Sequence, residues 1–488
     1  MRDLKDVLAH FGKTIKSLMV KDLRIDSREV KEGDVFVALD GHQAHGAQFI
    51  DAALNAGAVC ALVNTANVSQ SHDERVIGVD NLEDQIAALA TEFYRKPSST
   101  IQLIGVTGTN GKSTTTALIA NLATLCEHAG AVIGTLGYGK PDDLAPLANT
   151  TPSHVDLARI LNELKEEHQI VAMEVSSHGL SQGRVDGLEF DVGVFTNLSR
   201  DHLDYHGDMA SYADAKLQLF KKHQPTFSVI NADDAIGQTW IKNEQVQSIV
   251  GFGRMSAQLS ALPHFVAFQH EEYTPDGIHC EFVTSWGTCQ IVTSLYGEFN
   301  LYNLAAAFAT LLSLGYEFDA LARAVSSLQT VAGRMQPFSV AGKPTCIVDY
   351  AHTPDALKQA LKALQQHVPG KVTCVFGCGG DRDKGKRPQM AAIAQKYADK
   401  VIVTSDNPRA ESPIAIIDDI LAGFTSLQGV HVESDRARAI ASAIAMSAPD
   451  SVVLIAGKGH EDYQIIGKDI VPFCDRKVVQ AFLAGESL

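Results

Sequence analysis

Short apolar runs alternate with helix-like segments along much of the chain, and this alternation restricts the fold more than any other feature. The runs are rich in valine and isoleucine and occupy residues 101–106, 170–175, 191–196, 372–377, 400–405 and 452–457. Runs of this length and composition are typical of strands that are buried on both faces of a parallel sheet. With helices between them, they predict doubly wound α/β domains.

The segment that follows residue 352 shows the helical pattern most clearly. Thr353 is suited to the N-cap, and Pro354 is suited to the first turn because a missing N–H costs nothing there. Leu357, Leu361 and Leu364 recur at helical spacing and share one face. The pattern predicts an amphipathic helix whose leucine face packs on a sheet.

The length of the chain indicates several domains. A chain of 488 residues is too long for one ordinary hydrophobic core. Two polar, proline-containing segments, 94–100 and 331–337, each follow a helix-like stretch and precede a strand-like one. We therefore predict three α/β domains, at 1–97, 98–336 and 337–488.

The overall charge and the cysteine pattern exclude several classes of protein. The formal net charge is −16, which disfavours a nucleic-acid-binding protein with its basic face. The N-terminal segment lacks the apolar core of a signal peptide, and no run of about 18 apolar residues predicts a membrane span. The eight cysteines are scattered without C-x-x-C spacing. We expect a cytoplasmic protein with reduced thiols.

Polar clusters follow the carboxyl ends of the predicted strands. Examples are TGTNGKS after residue 106, NLSRDHLDYH after 196, CGGDRDKGKR after 377 and KGHED after 457. Ligands of open α/β sheets bind beyond these strand ends. We therefore expect the active site at these loops, with sheets of two domains facing one another.

The stretch GVTGTNGKSTTT, residues 105–116, is a variant phosphate-binding loop. In the common pattern, G-x-x-x-x-G-K-[ST], the first glycine would stand at 106, but Val106 is there. Between a strand and a helix, such a loop directs backbone N–H groups at phosphate. Lys112 would reach the β- and γ-phosphates and Ser113 would help to hold Mg²⁺. A chance glycine-rich turn is the weaker alternative, and the absence of an N-K-x-D motif favours ATP over GTP.

A histidine-containing loop, RDHLDYH at 200–206, has two interpretations. His202 and His206 are four residues apart, which could place a zinc pair on one helix face. Alternatively, His202 could join Glu174, at a neighbouring strand end, in holding Mg²⁺ beside phosphates. Alone, the loop could also be an ordinary solvated segment.

Two arginines of the last third of the chain follow predicted strands. Arg382 and Arg409 are placed to bind carboxylate groups, for which the guanidinium offers two parallel donors. The neighbouring Lys384, Lys386 and Arg387 are expected to form a solvated charge run.

Taken together, the motifs of the whole chain resemble the Mur ligase family, the ATP-dependent amide-forming enzymes of peptidoglycan precursor synthesis. The motifs occur in family order: GTNGKS, EVSSHGL, TNLSRDHLDYHG, YADAK, GEFNLYN, GRM, DYAHTPD and DNPR. The resemblance implies an N-terminal UDP-binding domain, a central P-loop ATPase-like domain with a parallel sheet, and a C-terminal Rossmann-like domain for the incoming amino acid. The shifted glycines are the family's own form of the phosphate loop.

Within the family, the chain resembles the MurE type. The motifs IDSR at 25–28, GHQA at 41–44, NTTP at 149–152 and DNPR at 406–409 carry this resemblance. It implies that meso-2,6-diaminopimelate is added to the D-Glu γ-carboxylate of UDP-N-acetylmuramoyl-L-Ala-D-Glu through an acyl phosphate. Diaminopimelate has a second carboxylate that Arg409 can pair with, whereas lysine has none.

The resemblance also implies a role for individual residues. Catalytic roles fall to Lys112, Glu174, His202 and Lys216. The expected ATP contacts are Gly108, Thr109, Asn110, Gly111, Lys112, Ser113, Thr114, Asn303, Arg334 and His352. The expected contacts to the UDP-muramoyl substrate are Ile25, Ser27, His42, Gln43, Ala44, Asn149, Thr150, Thr151, Ser176, Gln182 and Arg184. The expected contacts to diaminopimelate are Arg382, Asp406, Asn407, Pro408, Arg409, Gly457 and Glu461. The Mg²⁺ ligands would be Ser113, Glu174, His202 and a carbamylated Lys216.

Two other functions fit part of the pattern. A folylpolyglutamate synthase shares the phosphate loop but lacks the N-terminal UDP-binding domain. A P-loop switch would bind nucleotide and protein partners and would hydrolyse ATP without an amine. The resemblance favours a monomeric ligase that uses small-molecule substrates, with a hinge between its domains at 333–337.

Overall fold

The structure is a computed structural model that describes residues 1–39, 45–70 and 73–486. The described chain divides into two compact units. The first comprises the described residues of 1–253 together with 257–265 and 306–316, and the second comprises the rest. Of the predicted site residues, His42, Gln43 and Ala44 lie outside the described residues.

The N-terminal part of the first unit is built on a parallel sheet. Its elements are β1 Arg2–Asp3, α1 Leu4–Ala9, β2 Met19–Val20, β3 Leu23–Arg24, β4 Val35–Val37, α2 Ile50–Asn55, β5 Cys60–Asn64, β6 Val76–Val79 and α3 Leu82–Phe93. Strands β3 to β6 pair in parallel in chain order. Val35 and Leu62 pack in one apolar cluster and Phe36 and Ala61 in another, since successive side chains of a strand point to opposite faces.

The rest of the first unit contains a second, larger set of strands. Its elements are β7 Gln102–Thr107, α4 Lys112–Leu125, β8 Gly130–Gly134, β9 Gly137–Lys140, β10 Asp143–Ala145, α5 His154–Leu164, β11 Ile170–Glu174, α6 Ser177–Ser181, β12 Val192–Phe195, α7 Leu203–His206, α8 Met209–Lys221, β13 Phe227–Asn231, α9 Ala235–Lys242, β14 Ile249–Arg254 and α10 Ala257–Ser260.

Strand β7 lies at a switch in the order of this sheet. The order is β10-β9-β8-β11-β7-β12-β13-β14, and the strands from β8 to β14 run parallel. From β7 the chain first passes to β8 and β11 on one side and later to β12 and β13 on the other. Ligands of open α/β sheets bind at such a switch. The loop after β7 therefore lies where the fold favours a ligand.

The second unit contains the remaining strands and helices. They are β15 His264–Thr274, β16 Gly277–Thr284, β17 Gly287–Thr293, α11 Glu298–Ser313, α12 Phe318–Val325, β18 Gln336–Phe338, β19 Thr345–Asp349, α13 Pro354–His367, β20 Val372–Phe376, α14 Lys386–Tyr397, β21 Lys400–Val403, α15 Pro413–Leu421, β22 Val430–Val432, α16 Arg436–Ala445, β23 Val452–Ala456, β24 Tyr463–Ile466, β25 Asp469–Pro472 and α17 Asp475–Ala484. The first residues of β15 and the end of α11 belong to the first unit.

The C-terminal sheet of the second unit has the order β18-β19-β23-β20-β21-β22. All of its pairings are parallel except that of β18. Every residue of β20 and β23 is buried, because helices cover both faces. This arrangement brings the loops after β19, β20, β21 and β23 to one edge of the sheet.

The structure confirms the doubly wound α/β prediction. Each of the six predicted apolar runs forms a strand within one residue or two of the expected bounds. Thr353 caps α13 by accepting a hydrogen bond from the Ala356 N–H, and Leu357, Leu361 and Leu364 are buried. The domain bounds after residues 97 and 336 stay predictions. In the part of the chain that the structure describes, no helix combines the length and apolar character needed to cross a membrane.

Candidate active site

The loop after β7 turns sharply into α4 at two glycines. Gly108 and Gly111 have φ values of 150° and 85°, a region that side chains other than glycine rarely adopt. A Cβ at Gly108 would also collide with the Thr196 hydroxyl. The strand, loop and helix therefore occur in the order that a phosphate-binding loop requires, and glycine is needed at position 108 for two reasons.

The segment after β12 holds this loop in place. The Thr109 N–H donates to the Asn197 carbonyl at 2.9 Å, and the Asn110 N–H donates to Asn197 Oδ1 at 3.0 Å. The Thr196 hydroxyl donates to the Asn110 carbonyl at 2.7 Å. The motif that begins at Thr196 thus fixes the neighbouring loop, a role that its sequence did not indicate.

Two lysine ammonium groups share one carbonyl of the loop. Lys112 Nζ and Lys216 Nζ each donate to the Gly108 carbonyl at 2.9 Å. Lys216 is 1% exposed, and its Nζ lies 4.5 Å from the centroid of the Tyr212 ring. Burial, and secondarily the charge of Lys112, holds the pKa of Lys216 well below its usual range. The site therefore makes the neutral, nucleophilic amine more accessible at Lys216 than at an exposed lysine.

Glu174 ends β11 as a buried carboxylate surrounded by donors. The Ser113 hydroxyl donates to Glu174 Oε1 at 2.8 Å, and the Thr135 N–H donates to the same oxygen at 2.9 Å. The Thr135 hydroxyl donates to Glu174 Oε2 at 3.2 Å. A carboxylate and a hydroxyl are hard oxygen donors of the kind that Mg²⁺ prefers. The residues present therefore fit this cation.

A hydrogen-bonded network extends from Glu174 to the predicted substrate residues. The Thr151 hydroxyl donates to the Glu174 carbonyl at 2.9 Å and accepts from the Ser176 N–H at 2.9 Å. Arg184 Nη1 donates to the Thr151 carbonyl at 2.8 Å, while its Nε donates to Gln182 Oε1 at 2.9 Å. These residues, distant in the sequence, therefore form one polar surface.

The remaining predicted substrate residues of the first unit lie in two places. The Thr150 hydroxyl lies 3.0 Å from the hydroxyl of Thr135, so it adjoins the Glu174 cluster. Asn149 is exposed beside it. Ile25 and Ser27 follow β3 at the N-terminal sheet, where Ser27 begins a short 3₁₀ turn.

His202 does not share a helix with His206. It lies at the N-terminal end of α7 with a left-handed φ of 52°, and its ring packs edge-on against His178 with centroids 5.0 Å apart. The ring nitrogen Nε2 of His206 instead lies 2.9 Å from the hydroxyl of Ser177. Within the described ranges, no group of three or more His, Cys, Asp or Glu side chains could hold a metal. The structure therefore gives no support to a zinc pair on one helix face.

In the second unit, three residues from the loops after β21 and β23 form a closed triangle. Asn407 Nδ2 donates to Glu461 Oε2 at 2.8 Å. Lys458 Nζ donates to the same carboxylate oxygen at 2.9 Å and to Asn407 Oδ1 at 3.1 Å. The triangle joins Asn407 and Glu461, both predicted site residues, through Lys458, which was not predicted.

Arg409 is held by the hairpin of β24 and β25. Its backbone has a φ of 51°, its N–H donates to the Ile465 carbonyl at 3.0 Å, and its carbonyl accepts from the Gly467 N–H at 2.8 Å. The guanidinium donates to the Gly380 carbonyl at 2.9 Å. Hydrogen bonds to backbone groups therefore hold both the main chain of Arg409 and its guanidinium.

The other predicted residues of this region lie on the same loops. Arg382 is exposed and donates to the Asp381 carbonyl at 3.1 Å. Asp406 is buried, and its Oδ1 accepts from the Asn407 N–H at 2.6 Å. Gly457 has a φ of 120°, and a Cβ there would lie 2.6 Å from Asp406 Oδ2. Pro408 is also buried.

Arg387 corrects the prediction of a solvated charge run. Its side chain is 0% exposed and forms ion pairs with Glu411 at 2.9 Å and Asp419 at 2.8 Å. It lies in the first turn of α14 and points into the unit, whereas Lys384 is exposed as expected. Lys386 donates to the His352 carbonyl at 2.9 Å. The charge run therefore contains one structural arginine.

A cationic and aromatic cluster surrounds Tyr350. The Arg334 guanidinium lies 4.7 Å from the Tyr350 ring centroid, and the His460 ring centroid lies 4.9 Å from it. Burial lowers the pKa of His460 to about 4, and it also lowers the pKa of His352. Among described atoms, Arg334 Nε and His460 Nδ1 are buried without a hydrogen-bond partner. Such groups are suited to a polar ligand.

The third predicted nucleotide residue of this unit lies in α11. Asn303 is buried, and its amide donates to Asn300 Oδ1 at 3.0 Å.

Comparison with known families gives a match in each third of the chain. Residues 20–94 match the Mur ligase family, catalytic domain; residues 106–311 match the Mur ligase middle domain; and residues 333–459 match the Mur ligase, glutamate ligase domain. A solved structure of UDP-N-acetylmuramoyl-L-alanyl-D-glutamate--2,6-diaminopimelate ligase is 33% identical, with a TM-score of 0.70 and coverage of 99% of both chains. The chain belongs to the Mur ligase family.

More distant solved structures share the fold of this Mur ligase. MurF ligase from Thermotoga maritima in complex with ADP is 21% identical, with a TM-score of 0.66 over 97% of this chain and 99% of that one. Mycobacterium tuberculosis folylpolyglutamate synthase, complexed with ADP and AMPPCP, is 18% identical, with a TM-score of 0.60 over 76% of this chain and 91% of that one.

Membership of the family identifies the general reaction. Mur ligases are ATP-dependent enzymes that form amide bonds in peptidoglycan precursors, and this Mur ligase is one of them. The triangle of Asn407, Lys458 and Glu461 and the cluster around Glu174 are therefore candidate parts of one ligase.

Sequence reasoning missed several residues that this Mur ligase uses to hold its loops. Thr135, Tyr212 and Lys458 contact predicted site residues directly. Thr135 and Lys458 each follow a strand end closely, and Lys458 also begins a polar cluster, so this placement could have indicated them. The position of Tyr212 one helical turn before Lys216 was the corresponding signal.

Proposed function

We propose that this Mur ligase adds meso-2,6-diaminopimelate to the D-Glu γ-carboxylate of UDP-N-acetylmuramoyl-L-Ala-D-Glu. The carboxylate attacks the γ-phosphate of ATP to give an acyl phosphate and ADP. The incoming amine then attacks the acyl carbon, loses a proton and displaces phosphate. Identity of 33% over 99% of the chain to a ligase of this type supports the proposal.

The observation that carries the choice of amine is the presence of an acidic side chain, Glu461, and a basic side chain, Arg409, on loops of the second unit that Asn407 connects. Glu461 accepts a hydrogen bond from Asn407, and Asn407 stands two residues before Arg409. The far end of diaminopimelate carries both an ammonium and a carboxylate. Glu461 would bind the ammonium and Arg409 the carboxylate, which lysine lacks.

The phosphoryl-transfer step is assigned to the loop between β7 and α4. Backbone N–H groups of residues 108–114 and the N-terminus of α4 would bind the phosphates, and Lys112 would place its charge on the transferred group. Lys112 must leave its carbonyl contacts with Gly108 and Thr109 to do so. Ser113, Glu174 and His202 would hold Mg²⁺, which neutralises phosphate charge when bound.

Lys216 has the properties that lysine carbamylation needs. A neutral amine adds to CO₂, forming an N–C bond and releasing one proton, and burial favours the neutral amine here. The product is an anion at the end of a buried side chain. In our proposal, this carbamate serves as a further Mg²⁺ ligand.

The polar network next to Glu174 is assigned to the UDP-muramoyl substrate. Thr151, Ser176 and Arg184 would present the D-Glu end of the substrate to the transferred phosphate, since their network adjoins Glu174. Gln182, Thr150, Asn149, Ser27 and Ile25 complete this proposed surface. Asn303, Arg334 and His352 are proposed nucleotide contacts.

The test is phosphate release from ATP and Mg²⁺ with UDP-N-acetylmuramoyl-L-Ala-D-Glu as acceptor. One reaction contains meso-diaminopimelate and another contains L-lysine, and mass spectrometry identifies the product. We expect turnover with diaminopimelate and at least about 10-fold less with lysine, as expected for loss of one charged hydrogen-bonded contact.

An arginine variant sharpens this test. Arg409→Leu should reduce the preference for diaminopimelate over lysine, while Arg323→Leu, an exposed arginine on α12, should leave it unchanged. Turnover mainly with lysine would discard the role of Arg409. Turnover with neither amine would favour a folate-type ligase or a nucleotide switch. The proposal also includes a cytoplasmic location and a monomeric state. Sedimentation would test the monomeric state.

A further inference from the structure

Lys458 occupies an unusual position immediately after β23. Its side chain is completely buried, although the loop around it is polar. The ammonium donates to Glu461 Oε2 and Asn407 Oδ1 at 2.9 and 3.1 Å. Both partners are residues for which the sequence predicts a contact with diaminopimelate.

The contacts of Lys458 fix the orientation of the Asn407 amide. Asn407 Oδ1 accepts from Lys458 Nζ and from the Ile465 N–H at 3.0 Å, so the oxygen side of the amide faces two donors. The amide nitrogen must therefore face Glu461, where it donates at 2.8 Å. Without the Lys458 ammonium, only one donor would specify this orientation.

The same contacts distinguish the two oxygens of Glu461. Lys458 and Asn407 both donate to Oε2, while no hydrogen bond of the described residues uses Oε1. The Glu461 side chain is 14% exposed, so the carboxylate remains accessible at one edge. An ammonium group that enters the site can approach Oε1 without breaking the triangle.

We infer that Lys458 is a positioning residue for the incoming amino acid: it orients Glu461 and Asn407 so that one carboxylate oxygen is free for the substrate ammonium. This inference rests on the proposed function. It assigns Lys458 no contact with the nucleotide or the muramoyl substrate. Removal of the ammonium should therefore weaken amino-acid binding selectively.

The contrast with Lys343 separates positioning from ordinary structural support. Lys343 lies in the same unit, and its Nζ donates to the carbonyls of Phe482 and Leu483 at the end of α17 at 2.9 and 3.0 Å. Its partners are backbone groups of a helix end. Loss of this lysine should affect stability and leave the Michaelis constant of the amine unchanged.

The first experiment compares Lys458→Met with Lys343→Met in the full chain. For Lys458→Met we expect the KM of diaminopimelate to rise about 10- to 100-fold, the range for a lost hydrogen bond to a charged group. The KM of ATP and of UDP-N-acetylmuramoyl-L-Ala-D-Glu should change by less than about 2-fold, because neither substrate depends on the triangle. Thermal unfolding confirms that each variant is folded.

A double-mutant cycle tests whether Lys458 acts through Glu461. Glu461→Gln should raise the KM of diaminopimelate, and Lys458→Met in that background should add less than about 2-fold, since coupled residues are not additive. Additive effects in the cycle would overturn the inference. The double variant also removes the unpaired carboxylate, so it remains measurable if Lys458→Met alone fails to fold.

The outcomes separate this inference from the proposed function. Failure of the wild-type enzyme to use diaminopimelate overturns the proposed function, and the KM series is then measured with the amine that it accepts. An unchanged amine KM in folded Lys458→Met, with the wild-type enzyme active, overturns the inference alone. Equal rises in the KM values of all three substrates would also overturn it, because they would indicate a general structural role.

Discussion

Buried cations of the two units of this Mur ligase differ in whether a carboxylate accompanies them. In the first unit, Lys216 is 1% exposed, and its Nζ contacts the Gly108 carbonyl and the Tyr212 ring. The positive charge of Lys112 also acts on it. In the second unit, Lys458 and Arg436 are equally buried, but each forms an ion pair with a carboxylate. The charged form of Lys216 is thus destabilised, whereas the charges of Lys458 and Arg436 are each balanced by a carboxylate.

The difference separates two uses of a buried charge. Burial without an ion-pair partner disfavours the protonated form, so the amine of Lys216 loses its proton more readily than that of an exposed lysine. Burial with a counter-charge gives a fixed geometry that can orient neighbouring groups. Arg436 illustrates the second use, because it pairs with Asp475 at 2.7 Å and donates to the carbonyls of Ala456 and Ser405 at 3.0 and 3.3 Å. It thereby joins the ends of β21 and β23.

The largest expected effect is on stability, from breaking the compensated pair. Arg436→Met should lower the free energy of unfolding by about 3–5 kcal/mol, because Asp475 is then buried without its partner. Urea unfolding measures the change. Arg438→Met, an exposed arginine of the same helix, should change stability by less than about 0.5 kcal/mol.

The Arg436 prediction has an internal check. Arg436→Met combined with Asp475→Leu should recover much of the lost stability, since two well-packed apolar residues can replace a buried pair. A double variant as unstable as the single one would show that the arginine's contacts with the strand-end carbonyls, rather than the pairing of charges, dominate.

The next effect concerns the uncompensated cation. Lys216→Met should lower turnover by at least about 10²-fold if the carbamate serves catalysis. The same variant should raise the thermal midpoint at neutral pH by roughly 2–4 °C, which corresponds to a gain of about 1 kcal/mol in the free energy of unfolding. Because the folded-state pKa lies below the ordinary value, the unfolded chain binds more protons at pH values between them. The gain in stability should therefore shrink as pH rises towards 10.5.

The matched control for Lys216 is Lys221→Met, an exposed lysine on the same helix, α8. It should change neither turnover nor the thermal midpoint. Thermal unfolding is compared in buffer depleted of CO₂, so that the wild-type lysine is unmodified, whereas turnover is compared with bicarbonate present. A lower midpoint for Lys216→Met would contradict the idea that its ammonium is destabilised by burial.

The last effect is confined to acid pH and concerns a largely buried base of the second unit, His460, which has no ion-pair partner among the described residues. Burial lowers the pKa of His460 from 6.5 to about 4, with further lowering by Arg334 and Arg476. The unfolded chain therefore binds more protons between pH 6.5 and 4, and stability falls as pH falls through that range. His460→Gln should reduce this loss by about 1–3 kcal/mol.

Acid-dependent urea unfolding checks the His460 prediction. His431→Gln, an exposed histidine within β22, serves as the control and should leave the slope with pH unchanged. An equal change in slope for both variants would assign the effect to net charge rather than to burial.

The sequence predicted the strands, the helix starts and the phosphate-binding loop well, because these elements depend on local patterns. Runs such as residues 452–457 contain enough valine and isoleucine to specify a buried strand, and Thr353 with Pro354 specifies a helix start. The glycines at 108 and 111 similarly indicated a loop between a strand and a helix, and in the structure both have positive φ. These signals lie within a few residues of the structure they determine.

Burial of charged side chains was not predictable in the same way. Arg387 looked like one of several solvated charges, but its partners Glu411 and Asp419 are 24 and 32 residues away and meet it only after folding. The contact of Lys458 with Asn407, 51 residues away, was missed for the same reason, although its ion-pair partner Glu461 is only three residues away. The roles assigned to the site residues by resemblance stay predictions until the assays above are made.

Close backbone packing links two loops of the second unit. Gly333 has a φ of 65°, and a Cβ there would overlap the backbone of Gly459 and His460. No free volume separates the two chain segments. A displacement of the backbone at residue 333 must therefore be transmitted to the loop that carries Lys458 and Glu461. A rotation about the predicted hinge would therefore displace the loop that is proposed to bind the incoming amino acid.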